Sequence, residues 1–563
     1  MRGHHATPWQ RLRGLLRAEQ SDLFVVIVYS VVIGLLSLVV PVAVQWLVNT
    51  IAFGTLVQPL IVLTIFVFIA LGFASVLTAM RSWVVELMQQ RLFVRVASDV
   101  AYRLPRVKVE AFDKVHGPEL VNRFFDVVTV QKSASALLVE GLSILLQALI
   151  GMLLLAVYHP LLLVFDFILL VIIVVILFPL GRGAERTAIQ ESRAKYALVA
   201  WFEEIARYPV TFKSGAGHGY GAERSDVLVR SYLAARRNHF RIVLRQIIGF
   251  LGLQAIASAA LLGIGGWLVM ERQLTLGQLV AAELVVTMVV GGLSKFAKKL
   301  ETFYDMLAAL DKLGHLIDLP LEQSGGERLP ASPFPARLTL DKVKFGYPGK
   351  GPVLNGVSLE VAPGERVGLI GTLGSGKSSL VDLLYGLRSP QSGSIQIDGH
   401  DFRDLSVEDL RSHIVVVRSN EVFEGTVAEN LRIGREHLSA ADLWRALRAV
   451  GLEEDVQALP HGLSAELATG GQPLSRGQSG RLMVARALAG HPRLLILDES
   501  LDRIDDDHDR ETLFSALFSS GAPWTLLVVS SSPEILSRCD RVLALNGGDI
   551  TEIGSSATNP VRE

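Results

Sequence analysis

Between about residues 21 and 310 of this 563-residue chain, long apolar runs follow one another with few or no charges. A helix needs roughly 20 such residues to cross a bilayer. The runs place spans at about 22–46, 58–80, 134–157, 160–180, 247–270 and 277–294, six in all, with turns marked by Pro41, Gln58-Pro59 and the tight Tyr158-His159-Pro160. A water-soluble domain cannot bury that much contiguous apolar sequence, so the partner of this half is the lipid bilayer. Half of all residues are hydrophobic, but residues 337–563 have the mixed composition of an ordinary soluble domain. The chain therefore reads as a membrane domain, 1–317, a linker, 318–336, and a soluble domain, 337–563.

Lysine and arginine bias sets the orientation. The N-terminal arm carries Arg2, Arg11, Arg13 and Arg17, and the hydrophilic insertions at about 81–133 and 181–246 are rich in basic residues, while the short turns LVNTIAFGTLVQP and YHP have none. This predicts a multi-pass protein of the plasma (inner) membrane with a cytoplasmic N terminus, insertions and soluble domain. The insertions read as helices continuous with their spans, with short tip helices near 116–128 and 221–233 as one reading and plain hairpin ends as the other. The stretch PWQRLRGLLR has two readings: an interfacial helix with Trp9, Leu12 and Leu16 toward lipid, or a solvated basic tail. The opening residues lack the short apolar core and cleavage site of a removable leader. Asp166 and Glu283 fall inside spans, where a charge is costly and marks a candidate functional group. The single Cys539 excludes an internal disulfide and suits a cytosolic soluble half. With a net charge of -1 there is no electrostatic footprint for nucleic acid.

The linker is rich in Pro, Gly and Ser, and strand-like and helix-like segments alternate after it, as in an α/β domain. Within RVGLIGTLGSGKSSLVDLL an apolar strand runs into a glycine loop and then a helix. The pattern G-x-x-x-x-G-K-[ST] is met by Gly371, Gly376, Lys377 and Ser378, with Thr372, Leu373, Gly374 and Ser375 inside the loop and Ser379 after it. Backbone amides of such a loop cradle phosphates, the lysine reaches them, and the Ser378 hydroxyl ligands Mg2+. RLLILDES is a buried strand ending in Asp498-Glu499; the first acid can meet Mg2+ and the second can orient or deprotonate an attacking water.

Between these motifs lies PLSRGQSGRLMVARALAG, and here the chain resembles the ATP-binding cassette (ABC) transporters, whose signature LSGGQ precedes a basic, apolar helix. FGYPGKGPVL resembles that family's adenine-stacking segment, with Tyr347 as the aromatic, and SLDRID its D-loop, with Asp505 at the acidic position. Six spans with two long cytoplasmic excursions are similar to the exporter architecture. The resemblance implies a six-span α-helical membrane domain followed by an α/β P-loop nucleotide-binding domain, with ATP and Mg2+ as cofactors. It also implies a dimer with a second half-transporter, identical or different. Ser475, Gly477 and Gln478 of the signature would face the partner's nucleotide, and the tip helices would couple the two domains.

Three positions depart from the family pattern. The third signature position is Arg476 rather than glycine. Arg418 stands where the family has a glutamine that touches the metal and the attacking water; arginine can do neither and instead pairs with the γ-phosphate or Glu499. Counting back from CDRVLAL, Ser531 takes the place of the family's switch histidine. The expectation is an ATPase coupled to export of an unidentified peptide, protein, lipid or other amphiphile, slowed at Arg418 and Ser531, with Glu499 as its catalytic acid. The other reading is an ATP-binding subunit that gates a partner with little hydrolysis. Short external loops and no N-terminal peptidase domain resemble the core of the type I secretion, peptide and lipid exporters, for which a periplasmic adaptor and an outer-membrane channel would be partners.

Overall fold

The computed structural model describes residues 7–53, 57–113, 117–418, 421–502 and 507–553. It divides into two compact units, Met1–Val107 with Ala111–Pro320, and Leu321–Glu563 with Lys108–Glu110.

Among its described residues the first unit is built of helices joined by short turns, because in hydrocarbon every backbone N–H and C=O must be satisfied within its own segment. Among the described residues, five helical stretches are long and apolar enough to span a bilayer: Gln20–Thr50, Val57–Arg106, Leu120–Tyr158, Pro160–Leu177 and Gly215–Met270. The sixth apolar stretch, Leu276–Val289, is shorter and opens the helix Leu276–Ile317. Pro41 does not end the first span. The chain turns at Ser37–Leu38, one turn ahead of the proline whose ring would clash there, and continues helical from Val39 to Phe53. At the next tight turn, His159 caps the helix Pro160–Leu177 by accepting from the Leu161 amide at 3.2 Å.

Several helices run far past the bilayer. Gly215–Met270 has 56 residues, roughly 84 Å at 1.5 Å per residue. Its length absorbs 221–233, so that stretch is not a separate tip helix; the tip is the short helix Pro209–Phe212, which Pro209 opens. On the other excursion the helix Gly117–Asn122 and the 3-10 turn Arg123–Phe125 lie within 116–128, though His116 falls outside the described residues. Neighbouring helices approach closely where a side chain is missing: a Cβ on Gly151 would stand 2.9 Å from Val285 and Val289.

The N-terminal helix Pro8–Ala18 is not a free tail, because one side of it docks on the last helix of its own unit. Thr7 caps it in a capping box with Gln10, Leu12 and Leu15 pack against Met306, Ala309 and Leu310, and Trp9 meets Phe303 at 5.6 Å. Arg11 then crosses Gly314 to pair with Asp318; a Cβ on Gly314 would lie 2.1 Å from the guanidinium carbon. Of the three residues read as facing lipid, Leu12 packs on the last helix of the unit, while Trp9 and Leu16 stay 46 % and 43 % exposed. Asp166 is buried, with neither carboxylate oxygen hydrogen-bonded among the described residues, and Glu283 leaves one oxygen in the same state.

In the second unit a six-stranded sheet has the order Asp549–Ile553, Arg541–Asn546, Arg366–Ile370, Thr525–Val529, Leu494–Asp498, Ile414–Val417, parallel except at the first pair. The strands Leu494–Asp498 and Thr525–Val529 are buried along their whole length, as continuous apolar runs in a parallel sheet require. An antiparallel sheet built on Leu338–Gly346 and Pro352–Val361 packs over one core, and the helices Ala440–Ala449 and Arg476–Ala489 enclose another. The segment following Pro320 is tied to this unit: Glu322 holds Arg411 through two hydrogen bonds of 2.7 and 2.8 Å, and Leu329 donates to Asp409.

Phe514 is 1 % exposed and stacks edge-on with Phe518 at 5.8 Å. Phe514→Ala is expected to cost about 3–5 kcal/mol in the nucleotide-binding unit. Thermal unfolding of the purified full chain checks this: a clear drop in the lower transition is expected, and an unchanged melting profile would contradict the packing described.

Candidate active site

The site is assembled where parallel strands end together. The strand Arg366–Ile370 has a parallel neighbour on each side, which fixes the direction of its exit. Gly371 follows because nothing larger fits: a Cβ there would stand 2.5 Å from the Leu545 carbonyl oxygen and 2.6 Å from the Ser375 hydroxyl. Gly376, at φ +105°, lets the loop turn into the helix Lys377–Leu384 in a conformation open to glycine. Thr372, Leu373 and Gly374 form the exposed crest of the loop. Lys377 folds back across it, its Nζ donating to the Gly371 and Thr372 carbonyls at 2.8 and 3.2 Å. Ser375 is buried with its hydroxyl unpartnered among the described residues. Free helix amides, loop amides and an ammonium thus converge on one anion-binding concavity.

Tyr347 leans on this helix. Its hydroxyl lies 3.0 Å from the Ser379 hydroxyl, its ring meets Phe345 at 5.1 Å, and the Arg388 guanidinium sits 4.9 Å from the ring centroid.

Two strands away, Asp498 ends Leu494–Asp498 and is 5 % exposed. Glu499 comes next, exposed and at φ +53°, with its amide donating to the Val529 carbonyl at 2.9 Å. A left-handed glutamate costs roughly 1–2 kcal/mol, and such strain concentrates at sites that need a side chain aimed against the run of the strand. Here it turns the carboxylate out of the core toward solvent.

Arg418 follows the strand Ile414–Val417 directly, and its partners differ from those expected. Among the described residues no hydrogen bond or ion pair joins it to Glu499. Its Nε donates to Asp498 at 2.7 Å, one terminal nitrogen donates to Asp382 at 2.8 Å, and the other approaches the Ser378 carbonyl at 3.4 Å. The reason is distance and charge: two buried carboxylates flank the strand end, and a planar guanidinium bridges both. Burial works against its charge, but bonding and attraction to Asp382 and Asp498 outweigh this and raise its pKa above the ordinary arginine value. Asp382, whose other oxygen accepts from Arg388 at 3.2 Å, was not among the residues singled out. Its signal was present: it is the one acid in the otherwise apolar helix KSSLVDLL, five residues past the phosphate-loop lysine.

Ser531 is exposed just past the strand Thr525–Val529. Its neighbour Ser530 is the buried one, bonding to Asp502 and accepting the Ser532 amide at 3.0 Å. The serine triplet therefore splits into a structural Ser530 and an outward Ser531.

Ser475 caps the helix Arg476–Ala489, accepting from the Gln478 amide at 3.2 Å while Gln478 accepts from the Ser475 amide at 2.8 Å. Gln478 also donates to Asp455 at 2.8 Å, and Arg476 is exposed on the first turn. A Cβ on Gly477 would come no nearer than 4.0 Å to any neighbour, so space is not what requires glycine within this one chain. Asp505 lies outside the described residues.

The donor set suits magnesium. Ser378 and Asp498 offer hard oxygens, and Mg2+ is typically held by one or two carboxylates together with substrate phosphates. Among the described residues no cluster of three or more His, Cys, Asp or Glu side chains forms a separate metal cage. One Asp498 oxygen, however, is already engaged by Arg418.

Residues 23–293 match the ABC transporter transmembrane region and residues 354–502 match the ABC transporter family proper. The chain belongs to the ABC transporters. It is an exporter-type member with fused membrane and nucleotide-binding domains, and a multi-pass membrane protein. An ATP-dependent lipid A-core flippase of Saccharophagus degradans is 35 % identical over 253 residues, 45 % of this chain and 43 % of the flippase. The flippase of Thiobacillus denitrificans is 33 % identical over 306 residues, 54 % of this chain and 52 % of that one. The cyclolysin secretion/processing ATP-binding protein CyaB of Bordetella pertussis is 29 % identical over 62 % of this transporter and 49 % of CyaB. The aligned part thus spans about half the length of the curated relatives it matches. A bacterial Atm1-family ABC exporter with ATP bound shares the fold, with a TM-score of 0.83 at 21 % identity over 95 % of this chain and 96 % of that one.

The close approach at Gly371 makes Gly371→Ala a direct test of the loop. The variant should bind a fluorescent ATP analogue at least about tenfold more weakly, a loss of about 1.4 kcal/mol. Undiminished binding in a titration would contradict the loop geometry.

Proposed function

We propose that this transporter is one half of a dimeric exporter that couples ATP binding and hydrolysis to the movement of an amphiphilic substrate out of the cytoplasm. The observation that carries the reading is the single sheet edge on which the phosphate loop, the buried Asp498 and the outward, left-handed Glu499 stand together.

In this reading the amides of Gly371–Gly376 and the Lys377 ammonium hold the β- and γ-phosphates, and Tyr347 borders the base. Ser378 and Asp498 would hold Mg2+, which supplies charge neutralisation of the phosphates. Glu499 orients or deprotonates the attacking water, and its exposure leaves it free to do so. The signature at Ser475, Gly477 and Gln478, with Asp505, serves the nucleotide of the second half-transporter. The ATP touches both halves, so the closed dimer is more stable with ATP than after hydrolysis, and that difference drives the membrane domains between two accessible states. The tips at Gly117–Asn122 and Pro209–Phe212 are the elements we assign to coupling. Basic insertions and the N-terminal arm support a cytoplasmic nucleotide-binding domain beneath an inner membrane.

The flippase relatives favour a lipid or similar amphiphile as substrate. The secretion relative keeps a peptide or protein in view, and an adaptor and outer-membrane channel as partners would go with that case. Turnover is slow in this reading. Ser531 offers one neutral donor where a charge-assisted one is usual, and loss of one preorganised donor typically lowers the rate about 10²–10³-fold. The bridge from Arg418 to Asp498 favours a second reading, an ATP-binding half that gates a faster partner.

ATPase assays on the purified protein, alone and with a paired half-transporter, separate the two. Glu499→Gln should remove at least about 99 % of turnover while ATP still binds, since the water loses its base. Undetectable turnover of the unaltered protein in every pairing, with binding intact, would leave only the gating reading. Ser531→His should raise turnover; a rate that stays level or falls would mean that the γ-phosphate contact is made by another group.

A further inference from the structure

Arg418 is held more firmly than a residue waiting for a ligand. Three elements contribute to its seat: the end of the strand Ile414–Val417, Asp382 from the helix that follows the phosphate loop, and Asp498 from the neighbouring strand. Both aspartates are buried, with side chains 12 % and 6 % exposed, and each accepts a hydrogen bond of 2.8 Å or shorter from the same guanidinium. The side chain is 35 % exposed, so the group also has an open side. The remaining nitrogen reaches the carbonyl of Ser378, the residue whose hydroxyl is the other oxygen donor for a metal.

A positive charge therefore stands between the two residues that would hold Mg2+, anchored to one of them. We propose that Arg418 is a tethered cation that substitutes in part for the divalent metal, so that this site retains ATP when no metal is present. The inference rests on the reading of the site as an ATP site. Its physical basis is twofold. A metal-free triphosphate carries more negative charge than its magnesium complex; the guanidinium, although Asp382 and Asp498 offset its charge, keeps an open side and a donor at the Ser378 end of the phosphate loop, and with Lys377 it is there at no cost of recruiting an ion. A metal, for its part, must share Asp498 with a charge-assisted hydrogen bond already made, which lowers its advantage. Arg418 acts here through charge and through Asp498, as a positioning residue for the metal ligand. Asp382, with Arg388 on its far oxygen, keeps the guanidinium from swinging away.

The same geometry separates binding from turnover. Charge neutralisation in the ground state can come from arginine, but arginine has no oxygen lone pair with which to orient a water. The site should hold nucleotide with little regard to metal and hydrolyse it only with metal.

The test is equilibrium binding of a fluorescent ATP analogue to the full-length protein in detergent, in millimolar Mg2+ and in excess EDTA. For the unaltered protein the two dissociation constants should agree within about threefold. In Arg418→Gln the loss in EDTA should grow to about tenfold or more, the loss expected for removing one charge-assisted contact. Arg418→Lys, which keeps charge but cannot bridge two carboxylates, should fall between. In parallel, bound Mn2+ in the presence of nucleotide, read by electron paramagnetic resonance, should be tighter in Arg418→Gln than in the unaltered protein, because Asp498 is released. A tenfold or greater loss in EDTA for the unaltered protein, with binding in Mg2+ intact, would overturn this inference alone and needs no variant to fold. Binding in neither buffer would overturn the ATP-site reading together with it.

Discussion

Parallel strand pairing aligns the carboxyl ends of four strands, and the chemistry of the nucleotide-binding unit depends on that alignment. Val529 pairs with Leu369 on one side and with Asp498 on the other, and Val417 pairs with Leu497. One residue beyond this row stand Arg418, Glu499, Ser530 and, past Ile370, the phosphate loop. A slip of one residue would draw an exposed polar residue from past a strand end, such as Glu499 or Ser531, toward the buried row. The burial of every residue in the two central strands is what forbids the slip. The apolar core thus fixes the positions of charged groups it does not itself contain.

The membrane unit meets a different constraint with the same economy. Its helices satisfy their own backbones, so they can be far longer than a bilayer is thick, and the excess length forms the excursions without loops. Buried polar groups there are more exceptional than in the soluble unit. The unpartnered oxygens of Asp166 and Glu283 stand among helices with apolar neighbours.

What was legible in the sequence followed from chemistry local to one segment. The phosphate loop could be read because its glycines, lysine and serine are consecutive, and the spans because twenty apolar residues need no partner to announce themselves. Contacts between distant segments were not legible. Arg418 was recognised as out of place, with the γ-phosphate or Glu499 as its expected partner; the structure pairs it with Asp498 and with Asp382, an acid on the helix after the phosphate loop. Glu499 itself is exposed at a left-handed backbone position, and backbone handedness at a single residue leaves no mark in composition. The N-terminal helix was legible only in part, for a related reason. Its apolar stripe was real, but an amphipathic pattern does not say whether its partner is lipid or protein.

That helix has a consequence for the order in which the chain can fold. Arg11 and Asp318 are 307 positions apart, and Gly314 is kept bare so that they can meet. The helix that carries Arg11 therefore cannot dock until the helix Leu276–Ile317 has been made. The clasp closes late, and only on a membrane unit whose final helix is in place. It works as a completeness check, joining the two ends of that unit once everything between them has been inserted.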